Sequence, residues 1–303
     1  MKKEDSGRYL FRHIFRKKFL KAGACIGTLA LALSLMPPVS AAAASKGASK
    51  TQLYTIEGGY PSTNSASKVI SYDIAGGSAP EKIKFAFHQK NIKVYVNGKR
   101  KLTVNFDYYD RYTQVQFFRL ANGKRFMFLK TTGDNADGIY ALYRCSGGKF
   151  KRMLSQNSVV SKGANHRYID NIFVKGNRVY VTYGHMFTLS GYTQFRYTYR
   201  YSGGKLRRTS SNTKQVNIAY QTRPTLTTAA RVKLYRSKST GARYSTVAKG
   251  TRVKVLAAGS AGKRFWLKVK TLNGNKTGWI RCKDSYYPNG HAGTLFKETG
   301  LAG

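Results

Sequence analysis

Glycine punctuation constrains this chain more than any other feature. Five stretches read as strand, tight turn, strand: "KVYVNGKRKLTV" (93–104), "FRLANGKRFMFL" (118–129), "YRCSGGKFKRML" (143–154), "FVKGNRVYV" (173–181) and "YRYSGGKLRRTS" (199–210). Alternating apolar and polar residues put one face of a strand on a core, and glycine supplies the positive φ that a two-residue hairpin turn needs. The turns recur about every 25 to 28 residues, and helical periodicity is weak after residue 45. These features predict an all-β fold, a meander of antiparallel hairpins.

The meander echoes itself. "YRCSGGKFKRMLS" (143–155) matches "YRYSGGKLRRTSS" (199–211), and "YTQVQF" (112–117) matches "YTQFRY" (192–197). Two hairpins per unit of roughly 50–56 residues is the size of a propeller blade, but propellers usually have at least four blades. Residues 45–214 hold about three such units, so a partial propeller and a β-sandwich both fit. The stretch "VNIAYQTRPTL" (216–226) reads as a linker, since Pro224 argues against a central strand.

Charge narrows the partner. The chain has 54 Lys+Arg against 12 Asp+Glu, a net charge of +42. Such a surface repels itself unless it meets something acidic: anionic cell-wall polymers, a membrane surface or nucleic acid. The alternative is a general surface bias without a dedicated partner. Residues 1–44 read as a signal peptide. They hold a basic start from Arg8 to Lys21, the apolar run "AGACIGTLALALSLM", Pro37 and Pro38 ending it, and Ala41 and Ala43 at a cleavage spacing. No second apolar span follows, which predicts a secreted, extracellular or wall-associated chain with no integral membrane span. Cys145 and Cys282 are far apart and are expected to be buried free thiols, and zinc-ligand spacing is absent.

Both tryptophans lie in "FWLKVKTLNGNKTGWI" (265–280). A type I′ turn at Asn273-Gly274 fixes the register: Leu267 faces Ile280, Val269 faces Gly278, Lys268 faces Trp279 and Trp266 faces Arg281. One face then carries Leu267, Val269 and Ile280 toward a core. The other carries Trp266, Lys268, Lys270, Trp279 and Arg281. If open to solvent, that face suits flat sugar rings or peptide backbone; otherwise a bulge turns an indole inward as a core filler. The expected ligand-binding set is Trp266, Trp279, Lys268, Lys270, Arg281 and Arg236.

The longer stretch "VKLYRSKSTGARYSTVAKGTRVKVLAAGSAGKRFWLKVKTLNGNKTGWI" (232–280) resembles a bacterial Src-homology-3 (SH3) domain. Leu234, Arg236, Gly250, Val253, Val255, Trp266, Val269, Gly274, Gly278 and Trp279 stand at matching places, while "SKST" (237–240) departs where many members have proline. The resemblance implies a small SH3-like β-barrel that targets peptidoglycan or other envelope components. Residues 226–285 hold 15 Lys+Arg and one acid, Asp284, which favours a polyanion. The domain expectation is a signal peptide at 1–44, a β-rich propeller-like or sandwich domain at 45–215, the linker at 216–226, the SH3 domain at 227–286 and a tail at 287–303.

Other chemistry is thin. "SYDIAGGSAPEKIKF" (71–85) resembles the acidic calcium loops of propeller-like repeats, with Asp73 and Glu81 remaining. "TGDNADGIY" (132–140) adds Asp134 and Asp137. Calcium takes six to eight oxygens, so these four are weak metal candidates, and no cofactor is expected. Scattered histidines and the Asp107/Asp110 pair give no recognisable catalytic arrangement. The sequence therefore predicts a non-enzymatic envelope-binding protein for peptidoglycan or anionic wall polymers. The alternatives are a wall hydrolase with its active site in 45–215 and a general extracellular polyanion binder that also takes nucleic acid.

Overall fold

The computed structural model describes residues 50–57, 67–77, 79–88, 91–105, 112–132, 139–158, 167–187, 190–218, 221–222, 225–282 and 295–298. Residues 1–44, where the sequence leads one to expect a signal peptide, lie outside them. Every strand pair is antiparallel, and the described residues contain no α-helix. The fold class is all-β, as the punctuation predicts.

Strand β1 (Lys50–Glu57) is followed by three meanders in series. The first is a four-stranded sheet of β2 (Ser67–Tyr72), β3 (Glu81–His88), β4 (Asn91–Val96) and β5 (Lys99–Asn105). The second sheet runs β6 (Tyr112–Arg119), β7 (Arg125–Thr132), β8 (Tyr140–Ser146) and β9 (Lys149–Ser155), with β1 added on the free edge of β6. The third begins with β10 (Arg167–Lys175), β11 (Arg178–Phe187), β12 (Gly191–Ser202) and β13 (Lys205–Arg208). Each is the four-stranded unit from which propeller blades are made.

The turns set these registers. Asn97 and Gly98 have φ of 47° and 80° and join Val96 to its partner Lys99, as a type I′ turn requires. Gly147-Gly148 and Gly203-Gly204 do the same at the last hairpins of the second and third meanders. The echo "YRCSGGK"/"YRYSGGK" thus marks equivalent places. The "YTQ" echo does not: it falls on β6 in one unit and on β12, the third strand, in the next.

The stretch from 212 to 227 is bonded into two sheets. It holds β14 (Asn212–Thr213), β15 (Val216–Ile218), β16 (Gln221–Thr222) and β17 (Thr225–Thr227). β15 pairs with β12 and then with β16, extending the third sheet. The fourth sheet takes β14 and β17 together with β18 (Val232–Tyr235), β19 (Arg243–Val247), β20 (Arg252–Ala261), β21 (Arg264–Thr271) and β22 (Thr277–Cys282), in the order β14-β20-β21-β22-β18-β19. The SH3 resemblance implied a barrel. Among the described strands the sheet does not close, because β14 and β17 already occupy the free edge of β20 that β19 would need.

Two buried clusters hold the sheets together. One lies between the first and second sheets and includes Ile83, Phe85, Val94, Phe117, Met127 and Cys145. The other joins the second sheet's opposite face to the third and fourth sheets. At its centre Phe265 stacks on Phe187 and packs against Phe195, with ring centroids 4.4 Å apart in both cases. Residues Gly47–Gly303 accordingly form one compact unit. Cys145 and Cys282 are both buried, in different clusters, and burial pushes the Cys145 thiol up to about 12. Phe296 docks the tail: it is buried, bridges to Thr228, and is followed by Lys297 N–H donating to the Thr227 carbonyl at 2.9 Å.

Candidate functional site

The tryptophan hairpin keeps the register derived from its turn. Trp266 faces Arg281, Leu267 faces Ile280, Lys268 faces Trp279, Val269 faces Gly278 and Lys270 faces Thr277. The turn itself is wider than type I′. Thr271 N–H donates to the Lys276 carbonyl at 3.0 Å across a four-residue loop, and the Thr271 hydroxyl donates to the Gly274 carbonyl at the same distance. Neither Asn273 nor Gly274 has positive φ.

The indoles do not face solvent. Trp266 is 0 % exposed and Trp279 is 7 % exposed. Both point away from Leu267, Val269 and Ile280 as expected, but residues distant in sequence cover that side of the sheet. Tyr235 meets Trp266 edge to face at 5.4 Å. Lys238 lies 5.4 Å from the Trp279 ring centroid. Its ammonium donates to Ser211 Oγ at 2.9 Å, Asn212 Oδ1 at 2.6 Å and the Ser260 carbonyl at 2.9 Å, which clamps the 237–240 loop across the ring. Burial lowers the Lys238 pKa, and the nearby Arg208 charge lowers it further.

Two glycines make the close cover fit. A Cβ on Gly259 would come within 2.6 Å of Asn212 Oδ1 and 3.1 Å of the Trp279 ring. One on Gly278 would meet Leu234, the Tyr235 carbonyl and Tyr244, each at 3.1 Å. The solvent-facing aromatic patch expected of Trp266 and Trp279 is therefore corrected: both are fillers of a small third buried cluster with Ala257.

Cations remain on this face. Lys270 is exposed, and Lys254 of β20, also exposed, lies directly opposite it. Lys268 is half-buried with its ammonium 6.0 Å from the Trp279 centroid. Arg281 is half-buried; its Nε, like Trp266 Nε1, is buried without a hydrogen-bond partner among the described residues. Arg236 is exposed and sits 5.6 Å from the Tyr244 ring centroid. The structure thus groups Lys268 and Lys270 as the hairpin predicts and adds Lys254. That residue escaped the sequence because its register depends on a bulge between Val255 and Ala257.

Two of the four weak metal candidates, Asp73 and Glu81, carry structural bonds. Asp73 accepts from Gly76 N–H at 2.6 Å and pairs with Arg125 at 2.5 Å, while Glu81 accepts from Ile74 N–H at 2.8 Å. Asp134 and Asp137 lie outside the described residues, and so do Asp107 and Asp110. Among the described residues no group of three or more His, Cys, Asp or Glu could hold a metal ion. No protein-family model, curated protein or solved structure matches the chain.

Proposed function

We propose that this protein is a non-enzymatic, envelope-associated binder of anionic polymers, held to them by charge. The observation that carries the reading is Lys254 opposite Lys270, both exposed, on a face that also bears Lys268. Like charges directly opposite on neighbouring strands cost stability, so the arrangement suits a partner that neutralises them. The protein's own acids do not suffice: if each of the 12 Asp+Glu took one base, 54 − 12 = 42 Lys+Arg would still lack a carboxylate. The signal-peptide pattern of residues 1–44 and the SH3 resemblance of 232–280 support an extracellular, wall-associated place. With both indoles covered, affinity comes from counterion release and not from sugar stacking.

The test is retention of the full chain on purified cell wall, with and without its phosphate-bearing polymers, over a salt series. Retention should fall steeply with salt and vanish on stripped wall. Salt-resistant retention on stripped wall would overturn the reading.

A further inference from the structure

The third sheet carries a second and longer array of cations. Lys175 of β10 faces Arg178 of β11, Arg178 faces Arg200 of β12, and Arg200 faces Arg207 of β13. This single rung crosses four strands, and all four side chains are exposed. At the usual spacing between strands it spans roughly 14 Å. Among the described residues no carboxylate or hydrogen-bond acceptor takes any of the four side chains. The acid on this sheet, Asp170, lies five residues before Lys175 and accepts from Gln194 Nε2 at 3.0 Å.

The rung is not a by-product of core packing. The same strands send Val179, Val181, Tyr197 and Tyr199 to the buried side, and the cations alternate with them onto the outer face. Three like-charged oppositions in one row are costly to stability, and no internal partner offsets them. The next row inward is aromatic. Phe173 and Tyr180 face each other and stack at 4.6 Å with planes 2° apart, and the Arg196 guanidinium lies 5.3 Å from the Phe173 centroid. That deck orients Arg196 as a fifth cation beside the rung. Its two rings are half-buried and already stacked on each other, so they do not offer an open platform for nucleobases.

We infer that this outer face is a binding track for a linear polyol-phosphate polymer, one phosphodiester chain lying along the rung. A single file of cations without a base-stacking surface matches a single file of phosphates without bases. The inference rests on the anionic-polymer reading above and assigns it a second, distinct face.

The probe is poly(glycerol phosphate), titrated into the full chain at several salt concentrations. The rung variant is Arg178→Gln, Arg200→Gln and Arg207→Gln together. The control variant removes the same charge from the exposed outer face of the first sheet: Lys82→Gln, Lys84→Gln and Arg100→Gln. Each lost phosphate contact lowers the slope of log affinity against log salt by about 0.7, so the rung variant should lose about 2 from its slope and at least tenfold in low-salt affinity. The control should lose much less, and both variants should melt no lower than the parent. Equal losses in the two variants would overturn the track, as would tighter binding of single-stranded DNA of equal charge than of poly(glycerol phosphate). A parent chain that fails to bind at low salt would sink the functional reading with it. A parent that binds with an undiminished rung variant sinks the track alone.

Discussion

At the scale of single residues, the tryptophans separate face from exposure. Trp266 and Trp279 point to the side of the hairpin opposite Leu267 and Ile280, yet Tyr235, Lys238, Gly259 and Gly278 bring other chain segments over them. Trp266→Ala should therefore destabilise the fold by about 3–5 kcal/mol, the usual cost of emptying a large buried aromatic site. Chemical denaturation measures that cost. The native protein's tryptophan emission should be blue-shifted, poorly quenched by iodide, and unchanged when poly(glycerol phosphate) is added. A red-shifted emission that the polymer quenches would return the indoles to the binding surface. The sequence held half of this result. Cross-strand register is a local property, set by the turn and the two-residue period. Cover is not local: it depends on Lys238 reaching Ser211, Asn212 and Ser260, contacts that alternation within the hairpin does not encode.

At the scale of strands, like-charged oppositions link binding to stability. Lys270→Gln removes one member of the Lys254–Lys270 pair at an exposed position. It should raise stability by a few tenths of a kcal/mol while weakening polymer binding. Thermal melts and salt-dependent titrations on the same sample would show the opposed signs; a loss of stability with unchanged affinity would make Lys270 a structural residue. Strand and turn placement was largely legible, because Asn97-Gly98, Gly147-Gly148 and Gly203-Gly204 each fix a two-residue hairpin. Sheet edges were not. Which strand fills the free edge of β20 is decided by β14 and β17, two short segments, one just before and one at the end of the stretch 216–226 that reads as a linker. The cation rung stayed hidden for a related reason. Its members are spread from 175 to 207 and align only once three successive pairings are known.

At the scale of the whole molecule, one buried cluster runs through three of the four sheets. Phe265 of β21 wedges between Phe187 and Phe195 at the end of the third sheet, so the C-terminal strands share their core with the meanders. Heating should give a single unfolding transition, and Phe265→Ala should lower it as a whole without splitting it. Two well-separated calorimetric peaks in the parent protein would show that the sheets melt independently. The pairing of β1 has a consequence for how the chain comes together. Each of the three meanders is made of strands adjacent in sequence, but β1 bonds along its length to β6, with Lys50 opposite Arg119 and Glu57 opposite Tyr112. In a chain synthesised from its N-terminus, β1 waits for its partner while the whole of β2–β5 is made. The first meander is complete before β1 has anywhere to go, and assembly of the second sheet is the step that captures it.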